Sequence, residues 1–494
     1  MKRFRIFILI GTVTGIGFHS TDITQNPPLS SSVKTHIAHI ENGLLNRVAI
    51  QGESAAPMKL SDRMEHYKVP GVSIAVIDDG KIEWAKGYGI LESGKSLPVT
   101  RGTLFQAGSI SKPVTAAASL RLVQEGKLNL DEDVNKMLVS WKLPSNEFTA
   151  KRYVTLRKIM SHSAGITVHG FDGYTVDQPI PTLQQVLDGQ PPANSPAIRV
   201  DSLPGAEWRY SGGGYTVLQQ LLIDVTHETF PTLIHRLVLQ PAGMNESTFE
   251  EPLPPNFTFR AATGHLRNGT PVQGKWHFFP EMAAAALWST PSDLCRFAIE
   301  LQRSFNGKSN RVLSATMTRQ MLTPQIDHWG LGLSVEGEGE SLHFSHAGAT
   351  IGYQAFFIAY ANKGQGAVVM TNSDQGLKLT DEIIQGIANE YGWLDHNQIV
   401  RTRVKVEPAI FQRFAGSYRD PETPELPTLN VQANGSSLLL SDGENTQELL
   451  PESATKYFLL DGAEISFVQD SSGAATDLVY QHTDFTIDFK KITQ

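Results

Sequence analysis

Cysteine is all but missing. Cys295 stands alone among 494 residues, which excludes an internal disulfide and any cysteine-based metal site. It falls in the apolar helical pattern of Leu294, Phe297, Ala298 and Leu301, so it reads as a buried, inert thiol. An excess of positive charge is lacking too: 42 Lys and Arg stand against 50 Asp and Glu, a net charge of -8. With no sustained run of either sign, the chain offers no basic face to nucleic acid. There is also no Gly-x-Ser-x-Gly elbow, no ordered Ser-Asp-His set, no His-Glu-x-x-His pattern and no repeat spanning two domains. No metal and no organic cofactor is expected.

What is present describes a globular protein that can bury a sizeable core, with 40% hydrophobic and 19% charged residues. Its length points to two domains, or to one large domain with an appendage. At the N-terminus Lys2, Arg3 and Arg5 precede the apolar stretch Ile6 to Phe18, the layout of a secretory signal peptide over 1–20. That stretch is shorter than the ~20 residues that cross a bilayer. Neither a small-x-small cleavage site nor an early lipid-bearing cysteine follows it. Export to the periplasm or medium is expected, with an uncleaved membrane anchor as the alternative. The Pro- and Ser-rich residues 21–32 read as a tether.

Gly108-Ser109-Ile110-Ser111-Lys112-Pro113 is the stretch around which the rest is organised. It opens a helical run from Val114 to Glu125, closed by Gly126. Proline is tolerated only in the first turn of a helix, which places Ser109 at or beside the N-cap. A serine and a lysine three apart there lie on one face, within reach of each other, and the helix start favours an anion. Ser-x-x-Lys recurs at Ser31 to Lys34 and Ser453 to Lys456. Only the Ser109 copy follows an apolar strand and a glycine and precedes a proline-started, alanine-rich helix.

Taken in order, helical periodicity runs over Val33 to Val48 and Ser61 to Tyr67. A hairpin follows, Val72 to Ile77 returning as Ile82 to Tyr88 through Asp78-Asp79-Gly80, and a second comes much later, Gln354 to Tyr360 returning as Gly366 to Thr371. Two hairpins around a long helical middle imply an antiparallel sheet built from both ends of the domain, with the helices forming a lobe beside it. Helix starts are expected at Thr155 and at Thr290, where Pro291 and Asp293 complete the signal. The Pro-, Gln- and Asp-rich residues Phe171 to Ser202 read as an irregular lid or substrate loop. From about Val404 helical periodicity is lost, and short alternating strands separated by Asn-Gly, Asp-Gly and Ser-Gly turns imply a small all-β barrel or sandwich over 404–494.

The Ser109 stretch, with Val69-Pro70-Gly71-Val72 before it and Gly126 to Asp131 after it, resembles the serine β-lactamases and penicillin-binding proteins of the class C type. That group includes DD-peptidases, D-aminopeptidases and carboxylesterases. The resemblance continues through Leu156 to Gly165, Pro204-Gly205, Tyr210-Ser211-Gly212, Ser289-Thr290-Pro291 with Asp293, and His346-Ala347-Gly348 to Asn372. It implies a mixed α/β fold of the β-lactamase/transpeptidase type over 33–395: an antiparallel sheet flanked by helices plus a helical lobe, followed by the β domain. It also implies roles: Ser109 as nucleophile, Lys112 as general base, and Tyr210 as proton relay to the leaving group and activator of water. The backbone N–H groups of Ser109 and Ala349 would form the oxyanion hole. Ala347 and Gly348, on an edge strand, and Gly212 would line the substrate cleft. Gly212 stands where the family has asparagine, and His346 where many members have the lysine that recognises a carboxylate. The His-x-Gly form looks more like D-residue peptidases and esterases.

The residues leave alternatives open. Tyr210 could be a core aromatic beside Trp208. His343 and His346 could be exposed strand residues or half a metal site, and His162 a structural histidine rather than a base. The expected substrate is a small molecule or short peptide with an ester or amide bond, with a D-residue-containing peptide as the leading case. A weak β-lactamase, a carboxylesterase, or an idle scaffold that binds peptidoglycan fragments are the rivals. If His346 faces the reacting group, a pH response near its usual ~6.5 is expected.

Overall fold

The computed structural model describes residues 29–54, 56–394, 396, 398–421, 426–443, 445–482 and 485–492. The signal-peptide reading and most of the tether lie outside these residues.

The core elements are α1 (Ser31–Asn42), β1 (Gly71–Asp78), β2 (Lys81–Gly89), α2 (Ser111–Gln124), α3 (Gly212–Thr226), α4 (Pro291–Phe305), β3 (Ser334–Glu336), β4 (His343–Thr350), β5 (Tyr353–Tyr360), β6 (Gly366–Thr371) and α5 (Gly376–Tyr391). The six strands form one antiparallel sheet in the order β2-β1-β6-β5-β4-β3. The first hairpin and the last strands thus close on each other through the β1–β6 pairing, as the two-ended sheet requires.

Alternation along β1 divides the molecule in two. Val72, Ile74 and Val76 pack with α1 and α5, while Ala75 and Ile77 join the larger core with α2, α3 and α4. That larger core fixes α2 almost completely. Apart from Arg121, Val123 and Gln124, every residue of Ser111–Gln124 is buried. A helix buried on all sides is held by packing, which suits a backbone that must present two side chains at fixed positions.

Three expectations change. α1 stops at Asn42 before Gly43, and Val48 instead begins a short strand, Val48–Ile50, paired in parallel with Ile399–Arg401. The excursion Phe171 to Ser202 contains a helix, Leu183–Asp188, with a full Thr182/Gln185 capping box; Leu183, Val186 and Leu187 supply its apolar stripe. The C-terminal unit carries a helix, Pro408–Phe414, ahead of its strands.

Those eight strands close into a barrel. Its interior is filled by side chains including Tyr418, Leu438, Tyr457, Ile465 and Leu478, and Phe414 from the preceding helix stacks on Phe467 at 4.3 Å. A filled barrel is a packed core, not a calyx. The contacts that tie it to the first domain run through Val48, which donates to Leu460 O, and through Arg401, which pairs with Glu452 and Glu464. Arg47, next to Val48, also reaches Gln385 on α5, so this junction lies on the α1/α5 side, away from α2.

Candidate active site

The turn into α2 is tighter than a plain helix start. Gly108–Ile110 forms a 3₁₀ turn running directly into Ser111–Gln124, whose N-cap is Ile110, so Ser109 lies in that turn, beside the N-cap. Pro113 explains the difference. It has no N–H to give to the Ser109 carbonyl four residues back, so the preceding turn can tighten without losing a hydrogen bond. At the far end Gly126, with φ +72°, closes the helix as expected, and Lys127 N–H donates to Leu122 O.

Two glycines let the sheet reach Ser109. A Cβ on Gly108 would come within 2.7 Å of the Ala349 backbone, and one on Gly348 within 2.0 Å of the Ala107 carbonyl. The two backbones therefore touch, which sets Ala349 of β4 beside the Ser109 turn. Gln106 locks the approach: its Oε1 accepts from Thr350 Oγ1 at 2.9 Å, and its Nε2 donates to His277 O at 2.7 Å. β3 pairs with β4 only at His343 to Ser345, which leaves His346 to Thr350 as an open edge beside the serine among the described residues.

Lys112 Nζ donates to Ser109 Oγ at 2.9 Å and to the Ala284 carbonyl at 2.9 Å. The side chain is buried, and burial alone pushes its pKa down to about 7. A neutral amine is thus accessible near neutrality, and the same 2.9 Å line then runs from the serine hydroxyl into the nitrogen lone pair. The Tyr210 side chain lies next to that of Ser109, and its ring lies 4.8 Å from Lys112 Nζ. Burial pushes the Tyr210 pKa up, outweighing the opposing effect of Ser109, so it stays a phenol. His346 approaches from β4, its ring 6.4 Å from that of Tyr210, with Trp329 beside both at 6.1 and 5.6 Å. Four side chains from three separate segments meet here.

The Beta-lactamase family model matches residues 59–390. The chain belongs to the beta-lactamase family. That membership makes it an enzyme, a serine hydrolase. Among relatives, it is 26% identical over 376 residues to Penicillin-binding protein 4 of Amycolatopsis lactamdurans, covering 72% of this chain and 94% of that one. Two solved structures share the fold. The octameric penicillin-binding protein homologue from Pyrococcus abyssi aligns with a TM-score of 0.59 at 24% identity, over 87% of this chain and 98% of that one. The D-amino acid amidase from Ochrobactrum anthropi SV3 aligns with a TM-score of 0.57 at 21% identity, over 73% and 100%.

Within this beta-lactamase-family site, His346 does not behave as its free side chain would. It is buried, its Nδ1 donates to Ala347 O at 2.5 Å, and burial followed by the nearby Lys112 charge pushes its pKa down to about 3. The anticipated response near 6.5 is therefore corrected: His346 stays neutral through the working range and supplies no positive charge. His343 is three residues away on a strand and so points to the other face, where it meets Tyr360 and His396. The two cannot share a metal.

Gly212 has a steric reason. Its N–H donates to His169 O at 2.9 Å, and a Cβ there would meet that oxygen at 3.0 Å and the Phe171 ring at 3.1 Å. The segment through His169 and Phe171 occupies the space an asparagine would need. Gly212→Asn is expected to lower stability by about 1–3 kcal/mol, the usual cost of overpacking, and not to raise activity. Thermal unfolding and a steady-state assay would check this. An unchanged melting temperature with faster hydrolysis would show that the segment yields.

The other two Ser-x-x-Lys copies lie elsewhere: Ser31 and Lys34 are on α1, and the Ser453 hydroxyl accepts from Lys456 N–H in a turn. Residues with no sequence signal complete the site. Ala284 contributes only a carbonyl, which any residue could supply, and Trp329 arrives from a loop with no motif. His162, two residues from the Ala164-Gly165 turn, proves to lie against Tyr210.

Proposed function

We propose that this chain is an exported serine hydrolase that cleaves an ester or amide through an acyl-enzyme on Ser109. D-amino-acid amides and short D-residue peptides are the leading substrate class. The observation that carries the reading is the Ser109 hydroxyl hydrogen-bonded to Lys112, an amine with a pKa near 7, with Tyr210, an un-ionised phenol, beside it. The two groups divide the proton work. Neutral Lys112 removes the hydroxyl proton as Oγ attacks the carbonyl carbon, and the oxyanion rests on the N–H groups of Ser109 and Ala349. Tyr210 passes a proton to the leaving group as the bond breaks and is resupplied from the Lys112 ammonium. Water then enters: Tyr210 takes its proton while passing its own to the free amine of Lys112, the water oxygen attacks the acyl carbonyl, and Ser109 Oγ leaves with the proton that the Lys112 ammonium returns to it.

The substrate preference follows from charge. With His346 neutral, the strand position next to Ala347 and Gly348 has no cation for a substrate carboxylate. That favours amides and esters without a free carboxylate over β-lactams and peptides whose recognition depends on one. The likeness to a D-amino acid amidase supports the same class. Export is supported by the basic and then apolar N-terminus, Lys2 to Phe18.

The test is a panel assayed side by side: p-nitrophenyl esters, D- and L-amino-acid amides, and a chromogenic cephalosporin. Turnover of D-amides or esters at least ~10-fold above the cephalosporin is expected. A cephalosporin hydrolysed fastest would overturn the substrate class. No turnover and no fluorophosphonate adduct on Ser109 would favour the idle scaffold.

A further inference from the structure

We propose that His162 is the positioning residue that holds the Tyr210 hydroxyl on Ser109. The inference rests on the roles given above to Ser109 and Tyr210. His162 grips the Arg209-Tyr210-Ser211 tripeptide at three points. Its carbonyl accepts from Arg209 N–H at 2.7 Å, its Nδ1 accepts from Ser211 N–H at 3.1 Å, and its ring stacks on the Tyr210 ring with centroids 4.2 Å apart and planes at 29°. The residues before and after the tyrosine are thus pinned through their amides, and the tyrosine itself through its ring face.

The backbone is shaped for this grip. His162 has φ +56°, a left-handed conformation that a non-glycine residue adopts rarely and that is retained only where the surroundings enforce it. The turn brings the carbonyl and the ring of one residue to the same tripeptide. The amide of Ser211 donates into Nδ1, so the neutral ring carries its hydrogen on Nε2. Trp329 meets the ring edge-on at 5.1 Å and Tyr215 lies tilted against it at 5.5 Å, which removes its freedom to rotate. Burial opposes protonation of the ring, and Lys112, His346 and His169 add to it; Tyr210 and Tyr215 are the other titratable groups packed on it. The clamp therefore keeps one protonation state across the pH range in which Lys112 changes. Ser211 ties the clamp to the next element: its hydroxyl accepts from Gly214 N–H at 2.9 Å and caps α3.

A mispositioned Tyr210 should fail most where the leaving group needs its proton. The experiment compares kcat and KM on a p-nitrophenyl ester, whose leaving group departs unaided, with those on the alkyl ester and amide of the same acyl group. His162→Asn keeps a residue that tolerates the left-handed region and an oxygen that can accept from Ser211 N–H, but removes the stacked ring. His162→Gly keeps the backbone conformation and removes both, so one variant remains informative if the other does not fold. Tyr210→Phe is the reference. The expected result is a loss of kcat/KM, which reports steps up to acylation and not the deacylation common to all three, at least ~10-fold larger on the alkyl ester and amide than on the p-nitrophenyl ester. The same pattern should appear in Tyr210→Phe, and the double variant should be no worse than Tyr210→Phe alone. Equal losses on all three substrates in the His162 variants, or losses that add to those of Tyr210→Phe, would overturn the inference. If Tyr210→Phe itself shows no leaving-group dependence, the role given to Tyr210 fails first.

Discussion

Ser109→Ala is expected to lower hydrolysis of every substrate this protein turns over by at least ~10³-fold, the order seen when the nucleophile of a concerted catalytic group is removed. Stability should barely move. The hydroxyl is one atom on a 3₁₀ turn held by Ala107, Gly108 and the β4 backbone, and its loss costs about one hydrogen bond, roughly 1 kcal/mol. Lys112 keeps its bond to the Ala284 carbonyl, and Tyr210 keeps its stacked neighbour. Steady-state rates and thermal unfolding, measured at the same pH, separate the two effects. A large fall in melting temperature would mark Ser109 as a structural residue. Hydrolysis near the wild-type rate would remove the acyl-enzyme and return attention to a water attacking directly.

Much of this site was legible because its chemistry is carried by side chains at local spacings. Pro113 and Gly126 bracket the helix, and Thr290, Pro291 and Asp293 mark another, with the Thr290 hydroxyl accepting from Asp293 N–H as such a cap does. The hairpins were legible because strand periodicity and Asp-Gly or Lys-Gly turns are also local signals. What escaped was set by distant contacts. The Ala284 carbonyl has no residue-level signature. The helix Leu183–Asp188 hid among prolines and glutamines because its apolar stripe is only three residues long. His346 was misjudged because a motif fixes which residue stands beside the nucleophile but not how much solvent reaches it. The strand, Trp329 and Tyr210 together exclude water, and that exclusion sets the charge. The same omission applied to Gly212, whose missing side chain is explained by a segment more than forty residues upstream.

Replacing Lys112 by methionine provides the second large effect and ties catalysis to stability through one group. Acylation should fall by about 10²–10⁴-fold, the range for loss of a general base. In the wild type, kcat/KM should rise with pH through about 7 and then level, as the ammonium loses its proton, because only the free amine can accept from Ser109. His346 contributes no inflection there, being neutral throughout. Stability responds with the opposite partner. The folded pKa of Lys112 is pushed down to about 7 while an unfolded lysine titrates near ~10.4, so between these values the unfolded chain holds a proton that the folded chain has lost. Folding stability from this group therefore rises with pH across that window. Below it both states are protonated, and the cost of the buried ammonium is felt in full. Lys112→Met removes that cost with a side chain of similar length. The variant should melt higher than the wild type at pH 6, and the difference should shrink steadily toward pH 10, in denaturation curves recorded for the pair under matched salt. A difference independent of pH would mean that the amine is already charged in the folded protein at neutral pH. The rise in kcat/KM near 7 would then have to come from another group, and Lys112 would be left without its role as base.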